Sequence, residues 1–297
     1  MTALLTRILL GGMALLPRRL AQRLGSLLGW CNARFNTRSA AVTRANLALC
    51  CPEIEDRKAW VKRSLIETAK TLMETPAVWM SDPQRTDQWI AEIEQEADLL
   101  QALHSDKGVL LILPHCGNWE LLNVFFRRYG RMTALYQPPR QPALRPIMAE
   151  VRVRSGNEMV ATDRTGIAAL YRRLKSGGTV VVLPDQVPAS GTYAPFFGQM
   201  ALTDELSVRL VRKTGAEALG IALLRRPDGL FRAVVRKPGP EFFSDEMPVA
   251  LAGLNALVES LARIELDQYQ WEYKRFRERP AGEEKIYRFG RPPALHR

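Results

Sequence analysis

Two short apolar runs, each stopped by a proline, constrain the fold of this chain more than any other feature. GVLLIL at 108–113 runs into Pro114, and TVVVL at 179–183 runs into Pro184. Both have the length of a strand and neither alternates with polar residues, the pattern of strands buried on both faces. Proline cannot donate to a sheet ladder, so each run ends where its proline begins and the chain turns out. Around these runs the sequence reads as helix at 119–129, from about 143 to 154, at 167–175, at 207–213 and from 249 to about 266. Further strand patterns fall at 132–136, 218–224 and 231–236. The first hundred residues read as helices, with stops near Pro52, Pro76 and Pro83. Helices alternating with apolar strands predict an α/β fold: a mixed, mostly parallel central sheet flanked by helices. Residues 31–297 are long enough for one such domain, behind a basic, apolar N-terminal helical anchor region at 1–30.

In open α/β sheets, chemistry gathers in the loops past the carboxyl ends of the strands. The two apolar runs lead into LPHCGNWE and LPDQ, both polar. His115 and Glu120 lie five residues apart, which a helix would place roughly 140° from each other, so they are not a zinc pair on one helical face. A turn through Gly117 and Asn118, with helix from Trp119, lets Glu120 reach back to the imidazole. A carboxylate on one ring nitrogen fixes the tautomer and leaves the other nitrogen free to take a proton from a hydroxyl. These residues alone also fit a plainer arrangement, with His115 in a loop and Glu120 favouring a helix N-terminus. Cys116 carries no mark of activation, and neighbouring residues usually point apart. The four cysteines, Cys31, Cys50, Cys51 and Cys116, form no CxxC, which excludes a zinc ribbon or dithiol motif and leaves reduced thiols as the expectation.

A net charge of +11 calls for an anionic partner. Residues 1–50 hold Arg7, Arg18, Arg19, Arg23, Arg34, Arg38 and Arg44, and the first acid is Glu53. The same segment is rich in leucine, as in LLTRILLGGMALLP. Leucines interleaved with cations suit a helix lying on anionic lipid, whereas nucleic acid needs the charge but not the leucines. No helix-turn-helix, zinc finger or aromatic RNA-binding signature is present, so no nucleic-acid partner is expected. The apolar run from Ala3 to Leu16 is broken by Arg7 and falls short of the ~20 residues of a span. It reads as a retained interfacial or shallow anchor, with the arginines holding the body on the cytoplasmic side. Trp271, Lys274, Arg275, Phe276, Arg277 and Arg279 read as a basic aromatic patch, either a solvated helix end or a surface for headgroups or an acidic protein.

Several blocks follow one another in a telling order: NLALCCPE at 46–53, LMETPAVW at 72–79, HCGNWE at 115–120, ALYQPPRQPAL at 134–144, TDRTGI at 162–167, VVLPDQ at 181–186, APFFGQMALT at 194–203 and QYQWEYKRFRERP at 268–280. As an ordered set, they make the chain resemble the late, or secondary, lipid A biosynthesis acyltransferases, the lauroyl/myristoyl transferase family. The resemblance implies transfer of a fatty acyl chain from acyl carrier protein to a hydroxyl of a lipid A precursor, at the cytoplasmic face of the bacterial inner membrane. It implies no metal and no bound cofactor; the partners are acyl carrier protein, the lipid A precursor and an anionic phospholipid membrane. His115 becomes the general base and Glu120 its orienting partner. Arg164 would hold a phosphate or polarise the thioester, Asp185 would orient Arg164 or shape the floor, and Asn118 joins the substrate-binding set. Phe196 and Phe197 would line an acyl groove. Plainer readings stay open beside these: an Asp163–Arg164 surface ion pair, a capping Asp185, and core packing for the two phenylalanines. The alternative within the same family is acylation of another glycolipid, such as a phosphatidylinositol mannoside, from acyl-CoA.

Overall fold

The computed structural model describes residues 3–136, 141–154 and 156–287, so the Gln137–Arg140 part of the ALYQPPRQPAL block lies outside the described residues. Five helices come first: α1 (Ala3–Ala14), α2 (Arg18–Arg34), α3 (Arg38–Cys50), α4 (Arg57–Met80) and α5 (Pro83–Asp87). Then follow β1 (Ile90–Glu94), α6 (Glu96–Leu103), β2 (Val109–Ile112), α7 (Leu122–Phe125), β3 (Met132–Tyr136), α8 (Arg145–Arg154), β4 (Glu158–Ala161), α9 (Arg164–Lys175) and β5 (Thr179–Val182). A hairpin, β6 (Thr192–Phe196) and β7 (Gln199–Thr203), precedes α10 (Leu206–Thr214), β8 (Glu217–Arg225), β9 (Phe231–Arg236) and α11 (Met247–Ala262). Seven strands form one sheet in the order β1-β9-β8-β2-β5-β3-β4. Only β8 and β9 run antiparallel; the other neighbours are parallel, as the buried apolar runs predict.

The two apolar runs are the central strands β2 and β5, and every residue of both is buried. Successive side chains alternate between faces. Leu110 and Ile112 therefore enter the core under α10 and α11, while Val109 and Leu111 enter the core on the opposite face with Leu121 and Phe125. The 119–129 stretch, expected as one helix, is instead a 3₁₀ turn at Trp119–Leu121, the short α7, and a second 3₁₀ turn at Phe126–Arg128. The edge strands β1 and β4 and the hairpin carry no long apolar run, and the sequence reading passes over all three.

The N-terminal segment is two helices rather than one, because Pro17 caps α2 and breaks the run. Among the described residues no helix is long and apolar enough to cross a membrane. Helix α2 is built inside out. Gly25 and Gly29, one turn apart on one face, let its backbone lie directly against α4 at Lys70 and Ile66. Its leucines therefore point away from the protein: Leu20, Leu24, Leu27 and Leu28 are exposed, Leu27 to 59%. Helix α1 does the same with Leu4, Leu5, Ile8 and Leu9, and Leu4 is 67% exposed.

Candidate active site

Strands β2 and β5 pair in parallel, with Ile112 beside Val182, and the Leu113 N–H extends the ladder to the Val182 carbonyl at 2.9 Å. His115 and Asp185 each follow that pair by three residues, so the two loops leave the sheet side by side. Asp185 Oδ2 accepts the His115 backbone N–H at 2.8 Å, and Oδ1 lies 2.7 Å from Nδ1. With the carboxylate on Nδ1, that nitrogen carries the proton and Nε2 keeps its lone pair. Nε2 faces the Gln186 side-chain nitrogen at 3.3 Å, which in turn donates to Gln270 Oε1 at 3.3 Å. Burial pulls the imidazole pKa down, but the charge and hydrogen bond of Asp185, with the charges of Glu120 and Glu272, outweigh it and hold the pKa above its ordinary value. Burial pushes Asp185 the other way, and the bonds it accepts from His115 keep it below its ordinary value.

The loop carrying His115 is clamped from three sides. Gly117 has φ +61, and a Cβ there would drive into the Leu223 carbonyl, so only glycine fits. Its N–H bonds the Gln268 carbonyl at 3.0 Å, and its own carbonyl accepts from Thr71 Oγ1 at 2.9 Å. The His115 carbonyl accepts the Gln270 N–H at 3.0 Å. Beneath the loop, Glu74 is wholly buried and accepts from Asn118 Nδ2 at 3.0 Å, Gln22 Nε2 at 2.7 Å and the Arg225 guanidinium at 2.6 Å and 2.9 Å. Arg225 also pairs with Glu67, and these two carboxylates raise its pKa although burial alone would lower it.

A cavity of about 470 Å³ opens beside His115. Glu120, Gln186, Asp204 and Ser207 supply polar lining; Leu113, Leu122, Met132, Ala134, Met148, Met159 and Leu206 make much of the rest apolar. A largely apolar lining with a few polar groups, His115 among them, matches what an acyl chain with a reactive head requires.

Several sequence expectations change place. The carboxylate seated on the imidazole nitrogen is Asp185 and not Glu120. Glu120 sits in a 3₁₀ turn that directs Oε2 to the Trp79 indole N–H at 3.0 Å, and it acts on His115 through its charge. Asp185 is accordingly committed to His115 rather than to Arg164. Asn118 is fully buried, its amide nitrogen donating to Glu74, and is a support of the loop rather than part of the cavity lining. Phe196 and Phe197 are core residues, 1% and 3% exposed. Phe197 and Gly198 both take positive φ, the backbone of a two-residue hairpin turn, which folds the Phe197 ring onto Trp271 and Tyr269 instead of toward the cavity. Arg164 stands exposed in the first turn of α9, two residues past Thr162, which lines the cavity. Half of the C-terminal patch is interior: Trp271, Arg275 and Phe276 are 1%, 3% and 1% exposed, while Lys274 and Arg279 are half-buried and Arg277 is exposed. Burial and the charge of Asp185 push the Cys116 thiol well above its ordinary value, so it stays protonated.

Gln186 and Gln270 escaped the sequence reading, yet both stand at the imidazole. The signal for Asp185 was present: L-P-H and L-P-D repeat one pattern after two buried strands, and adjacent parallel strands in register bring such repeats together.

An α/β fold with a carboxylate-held histidine beside a largely apolar cavity is an arrangement able to move a proton next to an apolar chain. Sequence comparison makes the class specific: the profile of the bacterial lipid A biosynthesis acyltransferases matches residues 1–278, and the chain belongs to that family. It is an acyltransferase. It is 29% identical over 274 residues to the lipid A biosynthesis lauroyltransferase of Escherichia coli K12, covering 90% of this chain and 88% of that one. It is 27% identical over 270 residues to the palmitoleoyltransferase of the same organism, covering 89% and 87%. A phosphatidylinositol mannoside acyltransferase of Mycolicibacterium smegmatis matches at 26% identity over 136 residues, 44% of this chain and 45% of that one.

Proposed function

We propose that this enzyme moves a fatty acyl chain from an acyl carrier protein thioester to a hydroxyl of a lipid A precursor, with His115 as general base. The single observation that carries this reading is the Asp185–His115 pair, with His115 in the cavity lining and its Nε2 facing Gln186, another lining residue. A thioester is already activated, so the chemistry needs a deprotonated alcohol and a stabilised oxyanion, and no acyl-enzyme. Nε2 takes the hydroxyl proton while Asp185 holds the ring. Imidazolium then forms between Asp185 and the field of Glu120, and it returns the proton to the leaving thiolate. Gln186, whose amide covers Nε2, yields that place to the hydroxyl and offers its N–H to the oxyanion. Arg164, exposed beside the rim, receives a phosphate of the acceptor. The outward leucines of α1 and α2 lie in the interface of an anionic membrane, on the cytoplasmic face of the inner membrane, and present the site to its lipid substrate.

Mixing purified enzyme with acyl carrier protein thioester and a hydroxyacylated lipid A precursor tests the reading. One added acyl group on the precursor, lost in His115→Ala, is expected. Transfer only from acyl-CoA to a phosphatidylinositol mannoside would assign the enzyme to the other glycolipid.

A further inference from the structure

At the end of α4 remote from the active site, a cleft of about 690 Å³ opens between α2, α3 and the start of α4. Five cations line it: Arg34, Arg44, Arg57, Lys58 and Lys62. Its one acid, Asp56, is occupied as the helix cap, accepting the Ala59 N–H at 3.0 Å. Among the described residues no carboxylate pairs with Arg34, Arg57, Lys58 or Lys62 within 4.0 Å, and Arg44 bonds only the Asn36 amide oxygen. Arg57 and Lys58 also stand in the first turn of α4, which holds no acid, where the helix dipole already presents positive charge. Local stability argues against that choice of residues; a bound anion explains it. Trp30, 44% exposed, forms the wall where α2 enters the cleft, directly past the outward leucines Leu24, Leu27 and Leu28.

We infer that this cleft binds the phosphate headgroup of an anionic phospholipid while the leucines of α2 enter the acyl region beside it. The inference rests on the interfacial reading of α1 and α2. A tryptophan at the boundary between leucines and cations sits where indole favours a membrane–water interface. The other polyanion to consider is the protein that carries the acyl donor. From Lys62 to Trp79, at the rim of the catalytic cavity, α4 runs seventeen residues, roughly 25 Å. A carrier seated in the cleft would have to deliver its thioester across that length, whereas a lipid headgroup there only has to hold the molecule on the membrane.

Binding of the full-length protein to phosphatidylglycerol–phosphatidylcholine vesicles, and to phosphatidylcholine alone, tests the inference. Arg57→Gln/Lys58→Gln/Lys62→Gln should lower affinity for the anionic vesicles on the order of 100-fold, the effect of three surface cations, and leave the neutral vesicles unaffected. Its melting temperature should not fall, since two of the three lost cations, Arg57 and Lys58, oppose the helix dipole and none of the three has a carboxylate partner among the described residues. Arg34→Gln/Arg44→Gln, on the other walls, should act in the same direction. A control on exposed cations elsewhere, Arg172→Gln/Lys175→Gln/Lys213→Gln, should cost less than tenfold. Wild-type binding by the cleft variants, or an equal loss in the control, would overturn the assignment. Intact vesicle binding with a raised KM for the carrier thioester would overturn it in favour of the donor protein. Leu24→Ser/Leu27→Ser/Leu28→Ser reports separately on the apolar face: it should weaken binding to both vesicles, and if it changes neither, the interfacial reading fails while the cleft result stands.

Discussion

Asp185 holds His115 at two atoms at once, the ring Nδ1 and the backbone N–H, so the imidazole cannot tilt or slide without breaking a bond to the same carboxylate. Orientation and tautomer are therefore set before any substrate arrives, which is the condition for an efficient general base.

Asp185→Asn should cut transfer about 10²–10⁴-fold, the range typical of general-base assistance. On the proposed mechanism the base works as neutral imidazole, so wild-type activity should rise with pH through a value above 6.5, and the variant's acid limb should move to lower pH. Stability follows the same pair. His115 binds its proton more tightly when folded, so its contribution is full below 6.5 and fades as pH rises through the raised folded value. Asp185 is held low, so its contribution is present above 3.8 and fades as pH falls through its folded value. The stability gap between wild type and variant should be widest between about pH 4 and 6.5, read by urea unfolding across pH.

Arg225→Met strands the wholly buried Glu74 without its counter-charge and should cost roughly 3–5 kcal/mol in the same unfolding assay. Removing the partner too, in Glu74→Leu/Arg225→Met, should return part of that loss. Turnover should stay low in the double variant, because there Asn118 has lost its Glu74 anchor. Recovery of turnover together with stability would show that Asn118 does not transmit the effect.

Ala134 lines the cavity, so Ala134→Phe should shift donor preference to a shorter acyl chain, measured by competition among carrier thioesters. Phe197→Ala should leave that preference alone and lower stability by about 3–5 kcal/mol, the cost of emptying a packed aromatic site. A changed chain preference in Phe197→Ala would return this ring to the acyl groove.

Cys116→Ala should retain most activity, since its thiol is fully buried and kept protonated. Intact-protein mass after incubation with donor alone should show no acyl adduct. An adduct that vanishes in Cys116→Ala would replace direct transfer by a covalent route.

The sheet was legible because buried parallel strands leave continuous apolar runs, and both central strands did. β1 and β4 were not, because short edge strands carry mixed residues. His115 could be singled out from its motif, but its partner could not be taken from the same motif. Glu120 is near in sequence, while Asp185 is near in space through strand register, and a single loop does not reveal which of the two reaches the ring. The phenylalanines misled for a related reason: an aromatic pair beside glycine looks the same in a groove as in a hairpin turn, and only the positive φ of Phe197 decides. The inside-out helix α2 was half visible, since its interleaved leucines and arginines suggest a face turned to lipid, but nothing in them names α4 as the partner of the opposite face.

The clamp on the His115 loop also has an order of assembly built into it. Gln268 and Gln270, which fasten Gly117 and His115, are made by the ribosome long after the loop they hold. A nascent chain with its sheet already formed still lacks the strap that holds His115, so the geometry of this loop is completed only when residues 268–270 have docked.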